Sequence, residues 1–260
     1  MKIMVDKIIK YPRTPHLSGS RLQKGDEDLS QIPFSHIKGK NIVVEEKVDG
    51  ANVAVSFGED GELLLQSRGH YLTGGYRERH YDLFKIWGAE HRNELYEILG
   101  TRYVLYGEWL YAKHKVYYDA LPQYFLEFDI LDKSTSKFLD TENRRKMLKG
   151  SSIESVPVLG QGRYATKEEI LRLLGRSKYV SDSRIENLKR EIARLGLDGE
   201  QILKETDLTD LAEGLYIKAE ENGFVTERMK YVRYGFVQAV ESVGDDWLKR
   251  KIVPNKLIED

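Results

Sequence analysis

No cysteine occurs among the 260 residues, which excludes disulfides and cysteine-ligated zinc and is compatible with a reducing compartment. Long apolar runs are missing as well. Nothing approaches the length needed to span a bilayer, and Met1-Lys2-Ile3-Met4-Val5-Asp6-Lys7 lacks the apolar centre of a secretory signal. The expectation is a cytoplasmic protein with no membrane partner. Net charge is scarce too: 41 Lys and Arg against 42 Asp and Glu leave −1, which excludes a chain coated in basic surface. It still allows a local basic groove. The candidates are Arg68 to Lys85, Arg144-Arg145-Lys146 and Arg228 to Arg233, although such clusters are commonly solvated faces. Neither an internal repeat nor a low-complexity tract nor a flexible linker is evident. What is present, 40% hydrophobic and 32% charged residues, suits a globular chain with a sizeable core.

The stretch that organises the chain is Glu45-Glu46-Lys47-Val48-Asp49-Gly50-Ala51-Asn52. The β-prone runs Ile42-Val43-Val44 and Val53-Ala54-Val55-Ser56-Phe57 flank it, and Asp49-Gly50 readily takes the positive φ of a tight turn. A β-hairpin with Lys47 at its mouth is the expectation. Residues 11–31 read as an extended entry segment, in which Thr14-Pro15-His16-Leu17-Ser18-Gly19-Ser20-Arg21 is either a phosphate-facing loop or a plain surface loop. Glu62 to Gln66 begins a strand that ends in Ser67-Arg68-Gly69, where Arg68 either pairs with phosphate oxygens or sits on the surface.

A mixture of bases, aromatics and glycines from Tyr71 to Tyr81 suits phosphate contact with base stacking. It leads into a helix from Tyr81 to Leu99 that stops at Gly100, with Leu83, Phe84, Ile86, Trp87, Leu95 and Ile98 as its core face. Tyr103 to Leu110 is a largely buried strand with one carboxylate, Glu108, that needs a partner or a function. Tyr124 to Leu131 repeats the pattern with Asp129, and Phe128 beside it either stacks on a base or fills the core. Asp140-Thr141 caps a short helix, and Val156-Pro157-Val158 is a brief edge strand. Thr166-Lys167-Glu168-Glu169 opens a helix that Gly175 closes, and Ser183 to Leu195 is an amphipathic helix with Ile185, Leu188, Ile192 and Leu195 along one stripe. Strands resume at Glu213 to Lys218 and at Phe224 to Arg233, the second placing Arg228 and Lys230 on one face and Met229 on the other. From Asp245 to Leu257 a short amphipathic helix and a proline-interrupted end are expected.

Six segments stand in an order that resembles the covalent nucleotidyltransferases, the superfamily of ATP-dependent ligases and mRNA capping enzymes. They are Lys47-Val48-Asp49-Gly50, Ser67-Arg68-Gly69, Tyr106-Gly107-Glu108, Phe125-Leu126-Glu127-Phe128-Asp129-Ile130, Glu213-Gly214-Leu215-Tyr216-Ile217-Lys218 and Arg228-Met229-Lys230. The likeness covers about 40–235 and is nearest to RNA ligases of the RNA ligase 2 type. It implies an α+β nucleotidyltransferase (ligase adenylation) domain over 1–240, with antiparallel sheets around a nucleotide cleft and a helical insertion near 166–212. A short C-terminal tail would follow over 241–260, with no separate oligonucleotide-binding domain. ATP would be the cofactor, with Mg²⁺ or Mn²⁺, and RNA ends or nicked duplex RNA the partner, alongside a possible repair partner protein.

By that resemblance Lys47 is the nucleophile that carries AMP, and Arg68 contacts a phosphate. Glu46 belongs to the nucleotide-binding set, Glu108 meets the ribose hydroxyls, and Phe128 stacks on adenine with Asp129 beside it. Glu213, and Asp129 with it, would hold the metal. Lys218 and Lys230 would contact the α-phosphate region, and Arg228 stands where the family usually has lysine. A lysine amine is protonated near neutral pH and cannot attack phosphorus, so Lys218, Lys230 and a metal are expected to lower its pKa. The rival readings are a DNA ligase, a capping guanylyltransferase, and a non-catalytic RNA-binding repair protein that keeps the fold.

Overall fold

The computed structural model describes residues 7–22, 26, 28–236 and 251–258. In chain order its strands are β1 (His16–Leu17), β2 (Gln31–Ile32), β3 (Ile42–Lys47), β4 (Ala51–Phe57), β5 (Leu63–Ser67), β6 (Tyr103–Trp109), β7 (Phe125–Asp132), β8 (Lys137–Phe138), β9 (Val158–Gly162), β10 (Gly214–Glu221) and β11 (Phe224–Val232). The helices are α1 (Asp82–Glu90), α2 (Arg92–Leu99), α3 (Thr141–Leu148), α4 (Lys167–Leu171), α5 (Arg184–Leu195) and α6 (Gly199–Lys204).

Apolar runs broken by glycine and charge give two sheets rather than one. The first has the order β2-β1-β11-β10-β3-β9 and the second β5-β4-β6-β7-β8. Pairing is antiparallel except where β1 joins β11 and β2 in parallel. The expected α+β class with antiparallel sheets holds.

The expected hairpin does not. β3 pairs with β10 and β9, while β4 pairs with β5 and β6, so the turn after Lys47 carries the chain from one sheet into the other. Local strand propensity marks two neighbouring strands without saying which partners they take. Gly50 is needed there for space and not for a positive φ: a Cβ would sit 2.7 Å from both Leu110 Cδ2 and the Trp109 carbonyl oxygen.

Each sheet buries its outer face. Val53, Val55 and Phe57 of β4 pack with Phe84, Leu95 and Leu99 of α1 and α2. Val44, Leu215, Ile217 and Met229 of the first sheet pack with Leu17 and Ile170. The expected single helix from 81 to 99 breaks at His91, and Gly100 ends it at φ 49° as anticipated. Two of its assigned core residues, Leu83 and Ile86, are exposed at 39% and 53% because α1 rotates them away from β5.

Between the sheets the sequence places charge. Arg144 of α3, 2% exposed, reaches Glu127 Oε1 of β7 at 2.7 Å and also pairs with Glu45 of β3. Lys218 Nζ then lies 2.8 Å from Glu45 Oε2 and 3.1 Å from Asp129 Oδ1. One guanidinium and one ammonium thus tie three carboxylates across both sheets. The Arg144 cluster, expected as a solvated face, contributes its first member to the interior.

Helices α4, α5 and α6 fall within 166–212, where the helical insertion was expected, and α4 stops at Leu171 rather than reaching Gly175. Thr166 accepts from Glu169 N–H and Asp140 from Asn143 N–H, as the two capping patterns require. Most of the expected C-terminal helix lies outside the described residues. Residues 251–258 are pinned rather than loose: the buried Asn255 side chain accepts from Tyr118 N–H at 2.9 Å and donates to the Leu110 carbonyl at 2.7 Å. Among the described residues no helix is long and apolar enough to cross a membrane.

Candidate active site

β3 alternates, so Glu45 and Lys47 face the space between the sheets while Glu46 faces away. That space is a cavity of about 380 Å³ whose lining includes Lys47, Arg68, Glu108, Phe128, Glu213 and Lys230. Four strands (β3, β6, β7 and β11), the loop after β5 and the residue just before β10 supply them, and these six residues, set apart by as many as 183 positions between Lys47 and Lys230, line one cavity. All six were expected at the site.

Lys47 Nζ is 2.6 Å from Glu213 Oε2, and Glu213 is 2% exposed. Burial alone would lower the Lys47 pKa, but the charges of Glu213, Glu108 and Asp49 outweigh it and hold the amine above its ordinary value. The expected lowering counted a bound metal together with Lys218 and Lys230; in the ligand-free site carboxylates dominate the field at Lys47. Glu108 answers in kind. Burial, then repulsion from Glu213 and Asp49, pushes its carboxyl up to about 8 against the pull of Lys47, while Oε1 accepts Gly50 N–H at 3.1 Å. Asp49 has the turn-holding task, its Oδ2 accepting from Lys115 and Val116 N–H at 2.6 and 2.9 Å.

The other site residues expected from sequence turn their charged groups toward protein partners. Lys218 is wholly buried outside the lining, its ammonium held by Glu45, Asp129 and the Phe128 carbonyl. Asp129 is likewise taken up by Lys218 and by the Tyr11 hydroxyl at 2.5 Å, which leaves it no open face for a metal. Arg228 lies over the Phe138 ring at 3.7 Å and the Tyr11 ring at 5.3 Å, a stacking role that a planar guanidinium fills better than an ammonium. Glu46 borders the cavity, but its carboxylate accepts from Ser177 Oγ at 2.5 Å and Lys178 N–H at 3.1 Å, fastening the helical insertion to β3.

Sequence reasoning missed the strap formed by Tyr11, Pro12 and Thr14, which lines the cavity from the N-terminal side. Tyr216 Oη bridges Tyr11 Oη at 2.5 Å and Thr14 Oγ1 at 2.8 Å, and the Tyr11 ring stands edge-on to Phe128 at 5.1 Å. His114 also lines the cavity. Single hydroxyls in an extended segment carry no period, so only the flagged Thr14 hinted at this wall.

A family model described as RNA ligase matches residues 40–232. A comparison with curated proteins finds no match. Among solved structures, the fold is similar to that of Naegleria gruberi RNA ligase. A point mutant with ATP and Mn is 19% identical with a TM-score of 0.56, over 90% of this chain and 59% of that one. The same ligase with PPi is 20% identical with a TM-score of 0.53, over 80% of this chain and 54% of that one. The chain thus spans under two thirds of the length of those proteins, and at such identity the likeness is one of fold.

Proposed function

We propose that this chain, which belongs to the RNA ligase family, is an ATP-dependent RNA ligase that works through an AMP carried on Lys47. The observation that carries the reading is the amine itself, at the end of β3 where the chain crosses from one sheet to the other, sharing one cavity with Arg68, Lys230, Glu108, Glu213 and the half-exposed ring of Phe128. Solved forms of the Naegleria gruberi ligase hold ATP and Mn, AMP and Mn, or PPi, which supports a nucleotide in the equivalent space.

Lys47 Nζ would attack the α-phosphorus, forming a P–N bond as the α–β bridge breaks and pyrophosphate leaves. To do so it must part from Glu213 and lose a proton. Arg68 and Lys230 line the cavity as the cations suited to phosphate oxygens, Phe128 would offer its ring to a base, and Glu108 would meet the ribose hydroxyls. Lys218, Asp129 and Arg228 act one layer behind, holding Phe128 and Tyr11 in place.

A divalent cation, Mg²⁺ or Mn²⁺, fits the residues present. No cluster of three metal-ligating side chains occurs among the described residues, but Mg²⁺ commonly takes one or two carboxylates and fills the rest from phosphates and water. Glu213 supplies one such carboxylate, and burial, with the charge of Asp49, raises its pKa against the pull of Lys47, which marks a site short of positive charge. When bound, the ion would neutralise charge on the phosphates.

The adenylate would then pass to a 5′-phosphate end, and a 3′-hydroxyl would displace AMP to seal the strand. Incubation with ATP labelled at the α-phosphate, followed by a denaturing gel, tests the first step. Label on the wild-type protein, absent from Lys47→Ala and not displaced by GTP, is the expected result. Equal sealing of nicked duplex RNA by wild type and Lys47→Ala would end the mechanism, and GTP preference would point to capping.

A further inference from the structure

Lys230 faces the cavity from β11, yet its ammonium is engaged from behind by Asp26. Asp26, 7% exposed, is shared: Oδ2 also lies 3.1 Å from His16 Nε2, and Oδ1 3.5 Å from Arg13 Nη2. His16 is wholly buried on β1 and stands opposite Lys230 in the sheet register. Both Asp26 and His16 precede the family-matched span, which begins at residue 40.

The wiring around His16 accommodates two protonation states. A carboxylate only accepts, so Nε2 carries the hydrogen in the neutral ring and Nδ1, 2.7 Å from Ser20 Oγ, accepts the hydroxyl proton. Ser20 has a second acceptor in the Arg21 carbonyl at 3.4 Å, and its oxygen receives Val232 N–H at 2.9 Å. With the hydroxyl turned to Arg21, Nδ1 can donate to Ser20 instead, and no polar atom is orphaned.

We propose that Asp26 is a positioning residue that holds Lys230 back in the empty enzyme, and that His16 replaces Lys230 as its counter-cation when a nucleotide draws Lys230 forward. This rests on the nucleotide-binding reading above. Lys230 stays an ammonium and Asp26 a carboxylate; one proton passes from solvent to His16 Nδ1, and no heavy-atom bond changes. In the empty site burial holds the His16 ring below the usual imidazole range; Asp26 opposes this, and the charges of Lys230 and Lys47 add to it. Arg13 and Asp28 stand behind Asp26 as a further pair. Phosphate oxygens that engage both lysines would cancel their repulsion of the ring and leave Asp26 to it.

The test is a histidine ¹H–¹³C NMR titration of the wild-type protein with and without Mg²⁺ and α,β-methylene-ATP, a nucleotide whose α–β bridge cannot release pyrophosphate. His16→Gln identifies the His16 signal among six histidines. Expected is a rise of about tenfold in His16 proton affinity on nucleotide binding, lost in Asp26→Asn. A nucleotide response at His114, which lines the cavity, with no change at His16 would overturn this inference while leaving the nucleotide reading intact. No response at either histidine would remove both.

Discussion

Lys47 is held in its unreactive form by the carboxylate beside it. Burial on its own would lower the amine's pKa; Glu213 and Glu108 reverse the sign. Glu213→Gln should therefore raise the rate at which Lys47 reacts with a small amine-directed acylating reagent at fixed pH, by about three- to tenfold. The same change should lower labelling from ATP, and competitive acylation followed by peptide mapping reads the first effect separately from the second. Glu108 carries a second prediction. Its carboxyl is pushed up to about 8 from an ordinary 4.5, so the native state binds that proton more tightly than the unfolded chain. The stability it adds is full below pH 4.5 and is lost as pH climbs through 8, a loss of order a few kcal/mol. Urea midpoints measured at pH 5 and pH 8.5 should differ less in Glu108→Gln than in the wild type.

Of the six cavity residues, Glu108 and Phe128 were legible as a charge and a ring lodged in an apolar run, where burial needs a reason, while Lys47, Arg68, Glu213 and Lys230 came through the ordered motifs of the resemblance. Lys218 met the same test and was misplaced: the sequence signals that a buried ammonium needs partners, not whether those partners are substrate or protein. Here Glu45, in the same run as Lys47, was the overlooked signal.

Among the elements, α3 does more than its eight residues suggest. Its Asp140 cap starts the helix, and one turn later Arg144 links Glu45 of the first sheet to Glu127 of the second. Asp140→Ala should cost about 1 kcal/mol, the ordinary worth of a cap. Arg144→Ala should cost about 3–5 kcal/mol, because it strands carboxylates that lie wholly buried. Denaturant titration of the two variants separates the helix from the pin it carries. Strands and caps were readable from propensity and spacing, each being decided within a few residues. The pairing of β3 and β4 with distant strands was not, because it is settled by which faces are buried once both sheets exist. The break at His91 was hidden for a related reason: Trp87 stacks on Phe125 at 4.5 Å, a contact that the helix repeat alone cannot foresee.

At the scale of the whole molecule, the two sheets meet at the residue that would do the chemistry. Gly50→Ala sets a methyl against the Trp109 carbonyl at 2.7 Å, and a backbone oxygen has little freedom to yield. The expected cost in stability is about 1–3 kcal/mol. The expected cost in Lys47 labelling is far larger, about 100-fold, since the amine moves with the turn. Loss of labelling only in proportion to unfolding would refute that coupling.

Most surface turns tolerate added residues at small entropic cost. The turn after Lys47 does not, because any insertion there relocates the reactive amine. On the proposed ligase reading, a lineage adapting this cleft to a bulkier base or a different polynucleotide end would have to find room at the wall formed by Tyr11, Pro12 and Thr14, which stand outside the family-matched span. Divergence in what the protein accepts should thus accumulate in its first forty residues, while the machinery that acts on it stays put.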